Sequence, residues 1–178
     1  MIDESSRLLV SDHSAIVHAL TNVASALDIG PNGYQVAVYG YSRGVNEKFD
    51  LDAHTNKQEL LTSLANANLL TRIHYYTSDA STAVEYLTQT ALTPVHGDRA
   101  NYPDVVVFIT DPDSASNTRL SALDRLRLAN KASAVMVVSI GSGSSQVEQL
   151  GGTVVHIPNH GNVASTLTSS LLNFIQHC

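Results

Sequence analysis

Two short apolar segments of this chain each run into an aspartate. The first ends at Asp3, and the second covers residues 105–110 and is followed by Asp111. The second segment is too short and too rich in β-branched residues for a helix, so it predicts a strand buried on both faces. In an open parallel sheet, residues that follow the carboxyl ends of central strands face the ligand crevice. Both aspartates, with Ser5 and Ser6 after the first, therefore form a candidate set of hard oxygen ligands for a divalent cation.

The composition describes one globular domain. With 178 residues and 43% apolar content, the chain is long enough for a sizeable core. The net charge is −6, only ten residues are Lys or Arg, and no basic run occurs, which excludes nucleic acid as an expected partner. No apolar run is long enough to span a bilayer, so no membrane insertion is predicted, and no signal peptide is visible.

The single cysteine, Cys178, is the last residue. One cysteine excludes thiolate zinc sites and disulfides within the chain. Two interpretations stay open: a free thiol, or half of a disulfide whose partner lies outside this chain.

Apolar periodicity predicts alternating strands and helices. Strands are predicted over residues 34–41, 47–51, 104–110, 134–140 and 153–157, and helices over residues 14–27, 56–65, 81–92, 117–131, 146–150 and 163–175. The short, charged strand 47–51 is typical of a sheet edge. This alternation predicts a doubly wound α/β sheet with helices on both faces.

The first strand is unusually short. Only Met1 and Ile2 precede Asp3, whereas strands usually have about five or six residues. We therefore expect residues 1–178 to form a single domain whose first strand is truncated at its amino end.

Several motifs occur in an order that resembles a von Willebrand factor type A domain of the kind found in matrilins and type VI collagen. Residues 3–7 (Asp-Glu-Ser-Ser-Arg) stand where that family has Asp-x-Ser-x-Ser. Residues 26–38 are similar to its Gly-Pro loop and second strand, and residues 76–79 (Tyr-Thr-Ser-Asp) to its threonine loop. Residues 107–111 (Val-Phe-Ile-Thr-Asp) and 138–143 match its later strand ends. The resemblance implies a Rossmann-like, mostly parallel sheet with one short antiparallel edge strand.

The resemblance also implies a metal ion-dependent adhesion site. When the ligand positions of the family motifs are matched to this sequence, four metal ligands are expected: Asp3, Ser5, Ser78 and Asp111. Ser6 and Thr77 are less certain ligands. Carboxylate and hydroxyl oxygens favour Mg²⁺, with Mn²⁺ or Ca²⁺ as alternatives. In the family, an acidic group of the partner can complete the coordination shell.

Two positions depart from the family pattern. Arg7 replaces the last serine of the first motif, and Pro112 replaces the usual glycine after Thr-Asp. Arg7 permits two interpretations. Either it points to solvent while Ser6 or water supplies the lost ligand, or its permanent charge replaces the metal near both aspartates.

A second motif predicts a different chemistry. Residues 40–44 (Gly-Tyr-Ser-Arg-Gly) match the Gly-x-Ser-x-Gly nucleophile elbow, with Ser42 as the nucleophile. The following residues have no helical face, as the elbow requires, and Ser42 would need an acid and a histidine such as Asp111 and His156. The Gly-x-Gly at residues 141–143 lacks the third glycine of a dinucleotide fingerprint and is more typical of a βα turn.

The expected function is a non-catalytic, secreted module of the extracellular matrix that binds a matrix protein, such as collagen, through the metal site. The alternatives are a structural spacer with a degenerate metal site and, less favoured, a serine hydrolase that uses Ser42. Flanking cysteines of the family often pair, so the resemblance implies a disulfide from Cys178 to a residue before Met1.

Overall fold

One mixed sheet forms the centre of the molecule. The computed structural model describes residues 1–66, 68–71, 73, 78–112, 120–144 and 146–178. Within them lie the strands β1 (Ile2–Asp3), β2 (Val38–Tyr41), β3 (Val45–Phe49), β4 (Val105–Thr110), β5 (Ala134–Ile140) and β6 (Thr153–Ile157). Their order is β3-β2-β1-β4-β5-β6, and every neighbouring pair is parallel except the antiparallel β2–β3. The predicted sheet with one antiparallel edge strand is confirmed.

Helices cover both faces of this sheet. They are α1 (Val10–Ala26), α2 (Lys57–Leu64), α3 (Ala80–Tyr86), α4 (Ala122–Lys131) and α5 (Val163–Ile175). The first, second and fifth share one core with Ile2, Ile109 and Val138, while α3 and α4 share the other with Tyr41 and Phe108. None of the described helices combines the length and apolar character that a membrane crossing requires.

Two helices begin at positions that the apolar pattern did not predict. Helix α1 starts at Val10 instead of residue 14, because the Asp12 carboxylate accepts the Leu9 backbone N–H at 2.9 Å and so caps an apolar start. Helix α4 starts at Ala122 instead of residue 117. The Ser121 hydroxyl accepts the Asp124 N–H at 3.1 Å, and this capping box fixes the first turn. Residues 117–119 of the predicted helix lie outside the described residues.

Three other elements also differ from prediction. Strand β2 begins at Val38 instead of residue 34, because the Tyr34 N–H donates to the Asp28 carbonyl at 2.8 Å and closes a loop. Strand β3 lies two residues earlier than the predicted strand 47–51. The predicted helix 81–92 is α3 followed by a π-helical turn, Leu87–Ala91.

The short central strand β1 is held on both sides. Ile2 pairs with Gly40 of β2 and with Ile109 of β4. The Met1 amino group donates to the Val107 carbonyl at 2.8 Å, and burial lowers the pKa of this amino group to about 5. The two residues of β1 thus complete the sheet at its carboxyl end.

Glu4 anchors the chain as it leaves β1. Its carboxylate is fully buried and pairs with the Lys48 ammonium at 2.8 Å. It also accepts the Thr71 backbone N–H at 2.7 Å and the Asn46 side-chain amide at 3.1 Å. Gly40 makes room for it, since a Cβ there would lie 2.0 Å from Glu4 Oε2. Glu4 therefore ties β1, β3 and the segment around residue 71 together.

Loss of Lys48 should expose the cost of this buried charge. We expect Lys48→Met to lower the free energy of unfolding by about 3–5 kcal/mol, because it leaves Glu4 buried beside no ammonium. Lys57→Met is the matched control, since the Lys57 ammonium makes an exposed hydrogen bond to the Ser25 carbonyl and should cost less than about 1 kcal/mol. Urea unfolding of both variants measures the difference, and equal losses would contradict the assignment.

Candidate metal centre

Four polar side chains form a row across the carboxyl end of the sheet. Asp3 pairs in register with Tyr41 of β2, and Thr110 of β4 pairs with Ser139 of β5. Since Ile2 is the partner of Ile109, the next residues Asp3 and Thr110 are also neighbours. Side chains of paired residues share one face of a sheet. The row therefore runs Tyr41, Asp3, Thr110, Ser139 over four adjacent strands, on the face that α3 and α4 cover.

Asp3 is the centre of this row. Its carboxylate is completely buried, and Oδ1 accepts the Ser5 backbone N–H at 2.8 Å. The hydroxyls of Ser78 and Thr110 both lie 3.3 Å from Oδ2. On the other side, His13 Nε2 of α1 lies 3.2 Å from the Asp3 carbonyl oxygen. The structure thus brings Asp3, the backbone of Ser5 and the hydroxyl of Ser78 together, and adds Thr110.

The position of Ser78 depends on the start of α3. Asp79 caps this helix by accepting the backbone N–H groups of Ser81 and Thr82 at 3.0 and 3.2 Å. The Asp79 N–H in turn donates to the Ser42 carbonyl at 2.6 Å, just after β2. These bonds hold the buried Ser78 against the end of the sheet. Thr77, the alternative ligand, lies outside the described residues.

Asp111 follows β4 directly and is buried beside a glycine turn. Gly141 and Gly143, after β5, have φ angles of +123° and +133°, which L side chains rarely adopt. A Cβ on Gly141 would lie 3.5 Å from Asp111 Oδ2 and 3.5 Å from Pro112 Cδ. The turn after β5 therefore packs against Asp111, and the unusual Pro112 is part of that contact.

The two remaining residues of the first motif are more accessible. Ser6 is half-buried and Arg7 is exposed. The Arg7 backbone N–H lies 3.5 Å from Ser5 Oγ. The role of Arg7 in metal binding stays a prediction.

Sequence reasoning missed Tyr41, Thr110 and Ser139 as members of this site. Each is the last or next-to-last residue of a strand, so their shared signal is a polar residue at a strand end. Burial, followed by the negative charge of Asp3, raises the pKa of the Tyr41 phenol above its usual value, while the Ser78 and Thr110 hydroxyls oppose this rise. The charge of Asp3 and the phenol of Tyr41 are thus coupled.

These residues fit a hard divalent cation. Two carboxylates and the hydroxyls of Ser5, Ser78 and Thr110 supply only oxygen ligands, which suit Mg²⁺ and similar ions. Two further hydroxyls, Tyr41 Oη and Ser139 Oγ, are buried without a hydrogen-bond partner among the described residues. A set of buried oxygen atoms with unused hydrogen-bonding capacity is what an ion with bound water requires.

The alternative nucleophile Ser42 does not form an elbow. Its side chain is buried, and the chain continues after Gly44 into strand β3 instead of a helix. His156 lies on β6, four strand spacings from β2, or roughly 19 Å at about 4.8 Å per strand. A catalytic hydrogen bond between Ser42 and His156 is therefore excluded by the topology.

A second group of possible metal ligands lies near β3, the antiparallel edge strand of the sheet. Single ligand atoms of Glu47, Asp50 and His96 lie within 4.8 Å of one another. His96 Nδ1 lies 2.7 Å from Asp50 Oδ2, Tyr39 donates to Asp50 at 2.5 Å, and Tyr86 donates to Glu47 at 2.7 Å. Each of the three residues therefore already has a hydrogen-bond partner.

A comparison with known protein families gives a match over nearly the whole chain. The family model of the von Willebrand factor type A domain matches residues 1–176. The chain belongs to this family. Bovine (Bos taurus) matrilin-1 is 29% identical over 116 residues, which are 62% of this chain and 20% of matrilin-1. The mouse (Mus musculus) collagen alpha-4(VI) chain is 27% identical over 154 residues, which are 84% of this chain and 6% of the collagen.

Human (Homo sapiens) vitrin is 32% identical over 92 residues, which are 52% of this chain and 13% of vitrin. The matched part of the chain thus covers a fifth or less of the length of each of these relatives. Matrilin, vitrin and collagen VI are secreted proteins of the extracellular matrix, so the predicted location is confirmed at the level of the family.

Solved structures share the fold at low sequence identity. Proximal thread matrix protein 1 from the mussel byssus, with a zinc-occupied MIDAS motif, has a TM-score of 0.82 and 16% identity, over 98% of this chain and 46% of that one. The manganese-loaded TRAP protein of Plasmodium vivax has a TM-score of 0.66 and 14% identity, over 96% of this chain and 70% of that one. Both neighbours carry a divalent metal, and the likeness at this identity shows the von Willebrand factor type A fold.

The His96–Asp50 contact predicts a pH-dependent stability. The hydrogen bond to Asp50 raises the pKa of His96 above its ordinary 6.5. The folded state therefore holds this proton more tightly than the unfolded state, and the resulting stability is complete below pH 6.5 and lost as pH rises through the raised pKa. We expect the free energy of unfolding of the wild type to decline over this interval, and that of His96→Gln to decline less. Urea unfolding between pH 5.5 and 8.5 measures this, with the exposed His18→Gln as control. A control curve as flat as that of His96→Gln would contradict the assignment.

Proposed function

We propose that this domain is a non-catalytic adhesion module of the extracellular matrix that binds a matrix protein through a divalent cation. Collagen is the proposed partner class. One observation carries the proposal: Asp3 is buried at the centre of the sheet, and the hydroxyls of Ser78 and Thr110 converge on its Oδ2. In a von Willebrand factor type A domain, this set of oxygen atoms is suited to hold an ion at the top of the sheet.

The proposed ligands are Asp3, Ser5, Ser78 and Asp111, with Ser6 and Thr77 as less certain members. Mg²⁺ is the first choice, because every ligand is a hard oxygen and Mg²⁺ retains water in such sites. Zinc and manganese in the structural neighbours support a divalent cation in general. The bound ion would supply a positive site for an acidic side chain of the partner.

The residues of the chain prepare this site by fixing its shape. Glu4 and Lys48 hold the chain after Asp3, and Asp79 holds the loop that carries Ser78. The buried position of Ser42, far from His156, supports a binding role without catalysis. Two of the proposed ligands thus have an anchoring residue next to them in the sequence: Glu4 follows Asp3, and Asp79 follows Ser78.

A structural spacer with a degenerate site is the second candidate function. Arg7 favours it, because a cation replaces a hydroxyl in the Asp-x-Ser-x-Ser motif. In that case Arg7 would compensate the two aspartates without metal, and partners would use another surface.

The ends of the chain support two further parts of the proposal. We propose that residues 1–178 are one domain. Met1 and the exposed Cys178 line the same cavity of about 490 Å³, between the beginnings of β2 and β4. Because Cys178 is an exposed thiol, we propose a disulfide from it to a residue outside this chain.

Metal binding is tested by calorimetric titration of Mg²⁺ and Mn²⁺. We expect wild type to bind and Asp111→Ala to bind at least about tenfold more weakly, because a charged ligand is lost. Glu85→Ala removes one exposed carboxylate that is not among the proposed ligands and should leave the affinity unchanged. If wild type fails to bind but Arg7→Ser binds, Arg7 has disabled the site and the spacer function holds.

Partner binding is tested on immobilised fibrillar collagen. We expect wild type to bind in Mg²⁺ and to release in EDTA, and Asp111→Ala to bind weakly under both conditions, because the ion is proposed to hold an acidic group of the partner. The Glu85→Ala variant again serves as control. Equal binding with and without Mg²⁺ would place the contact away from the metal centre.

A further inference from the structure

Two buried hydroxyls at the ends of the polar row make no hydrogen bond to any described residue. They are Tyr41 Oη and Ser139 Oγ, and both residues have a relative exposure of 0%. A buried hydroxyl without a partner destabilises a folded protein, so natural structures contain few of them. Both hydroxyls lie in the row of the proposed metal centre.

The strand register explains how these residues reach the site. Tyr41 is the partner of Asp3 on β2, and Ser139 is the partner of Thr110 on β5. Tyr41 therefore flanks Asp3 and Ser139 flanks Thr110, on the same face of the sheet.

The chemistry of a hydroxyl suits the outer part of such a site. A hydroxyl both donates and accepts hydrogen bonds, and its proton can rotate to suit the partner. An ion such as Mg²⁺ keeps several of its water molecules, and these waters are strong hydrogen-bond donors that need acceptors. Residues outside the ligand set that orient ligands or waters contribute strongly to metal affinity.

We propose that Tyr41 and Ser139 are positioning residues of the metal centre, whose hydroxyls accept hydrogen bonds from water molecules bound to the cation. This inference rests on the proposed metal-binding function and extends the centre across four adjacent strands. It assigns a role in affinity to two residues that touch no ion directly.

Removal of either hydroxyl should affect the stability of the metal-free protein and its affinity for the ion in opposite directions. Tyr41→Phe and Ser139→Ala each remove a hydroxyl that has no hydrogen-bond partner among the described residues. Removal of an unsatisfied polar atom leaves the metal-free fold equally stable or more stable. The same change removes a hydrogen bond from the loaded site and so weakens ion binding.

The experiment measures both quantities on the full chain. The thermal midpoint is recorded in EDTA, and the dissociation constant for Mg²⁺ is measured by calorimetry. For both variants we expect an unchanged or higher midpoint and a dissociation constant raised about tenfold. The matched controls are Tyr34→Phe and Ser169→Ala, which remove the same atoms at exposed or surface positions and should change neither quantity.

Two results would overturn the inference while metal binding itself stands. One is a wild type that binds Mg²⁺ and variants whose dissociation constants stay within about twofold of it. The other is a metal-free midpoint that falls together with affinity, since that pattern marks a role in packing. A wild type that binds no cation at all overturns the proposed function, and this inference with it.

Discussion

A carboxylate buried at the middle of a sheet is the constraint on which this structure depends. Asp3 has no exposure to solvent, and an ionised group in that position needs hydrogen bonds on every side. The surrounding elements each end where they can supply one: the turn at Ser5, the loop at Ser78, and β4 at Thr110. Asp3 thus brings together three segments of the chain that are distant in sequence or lie in different elements.

The residue after Asp3 shows a second solution to the same problem. Glu4 is also fully buried, but its partner is the ammonium of Lys48 on β3. Asp3 is instead met by a backbone N–H and by hydroxyls. Consecutive carboxylates therefore have different chemical roles: Glu4 forms an ion pair that fastens the chain, and Asp3 keeps oxygen atoms directed toward the top of the sheet.

Much of the fold could be predicted from the sequence, because apolar periodicity reports burial directly. Strands β5 and β6 and helix α5 begin and end at the predicted residues. The starts of α1 and α4 could not be predicted from apolar periodicity, since they depend on capping by Asp12 and Ser121. The membership of Thr110, Tyr41 and Ser139 in the site was hidden for another reason. It depends on the register between strands that are distant in sequence, and no local pattern records that register.

The row of polar side chains also constrains how the chain can change in length. Alternate residues of a strand point to opposite faces, so a deletion of one residue within β4 would turn Thr110 away and bring an apolar or charged neighbour into its place. The same holds for the ends of β2 and β5. Insertions and deletions should therefore collect in the connecting loops, while the last residues of β1, β2, β4 and β5 keep their spacing. A designer who grafts new loops onto this domain must therefore keep the strand ends in register and retain the loop residues proposed as ligands.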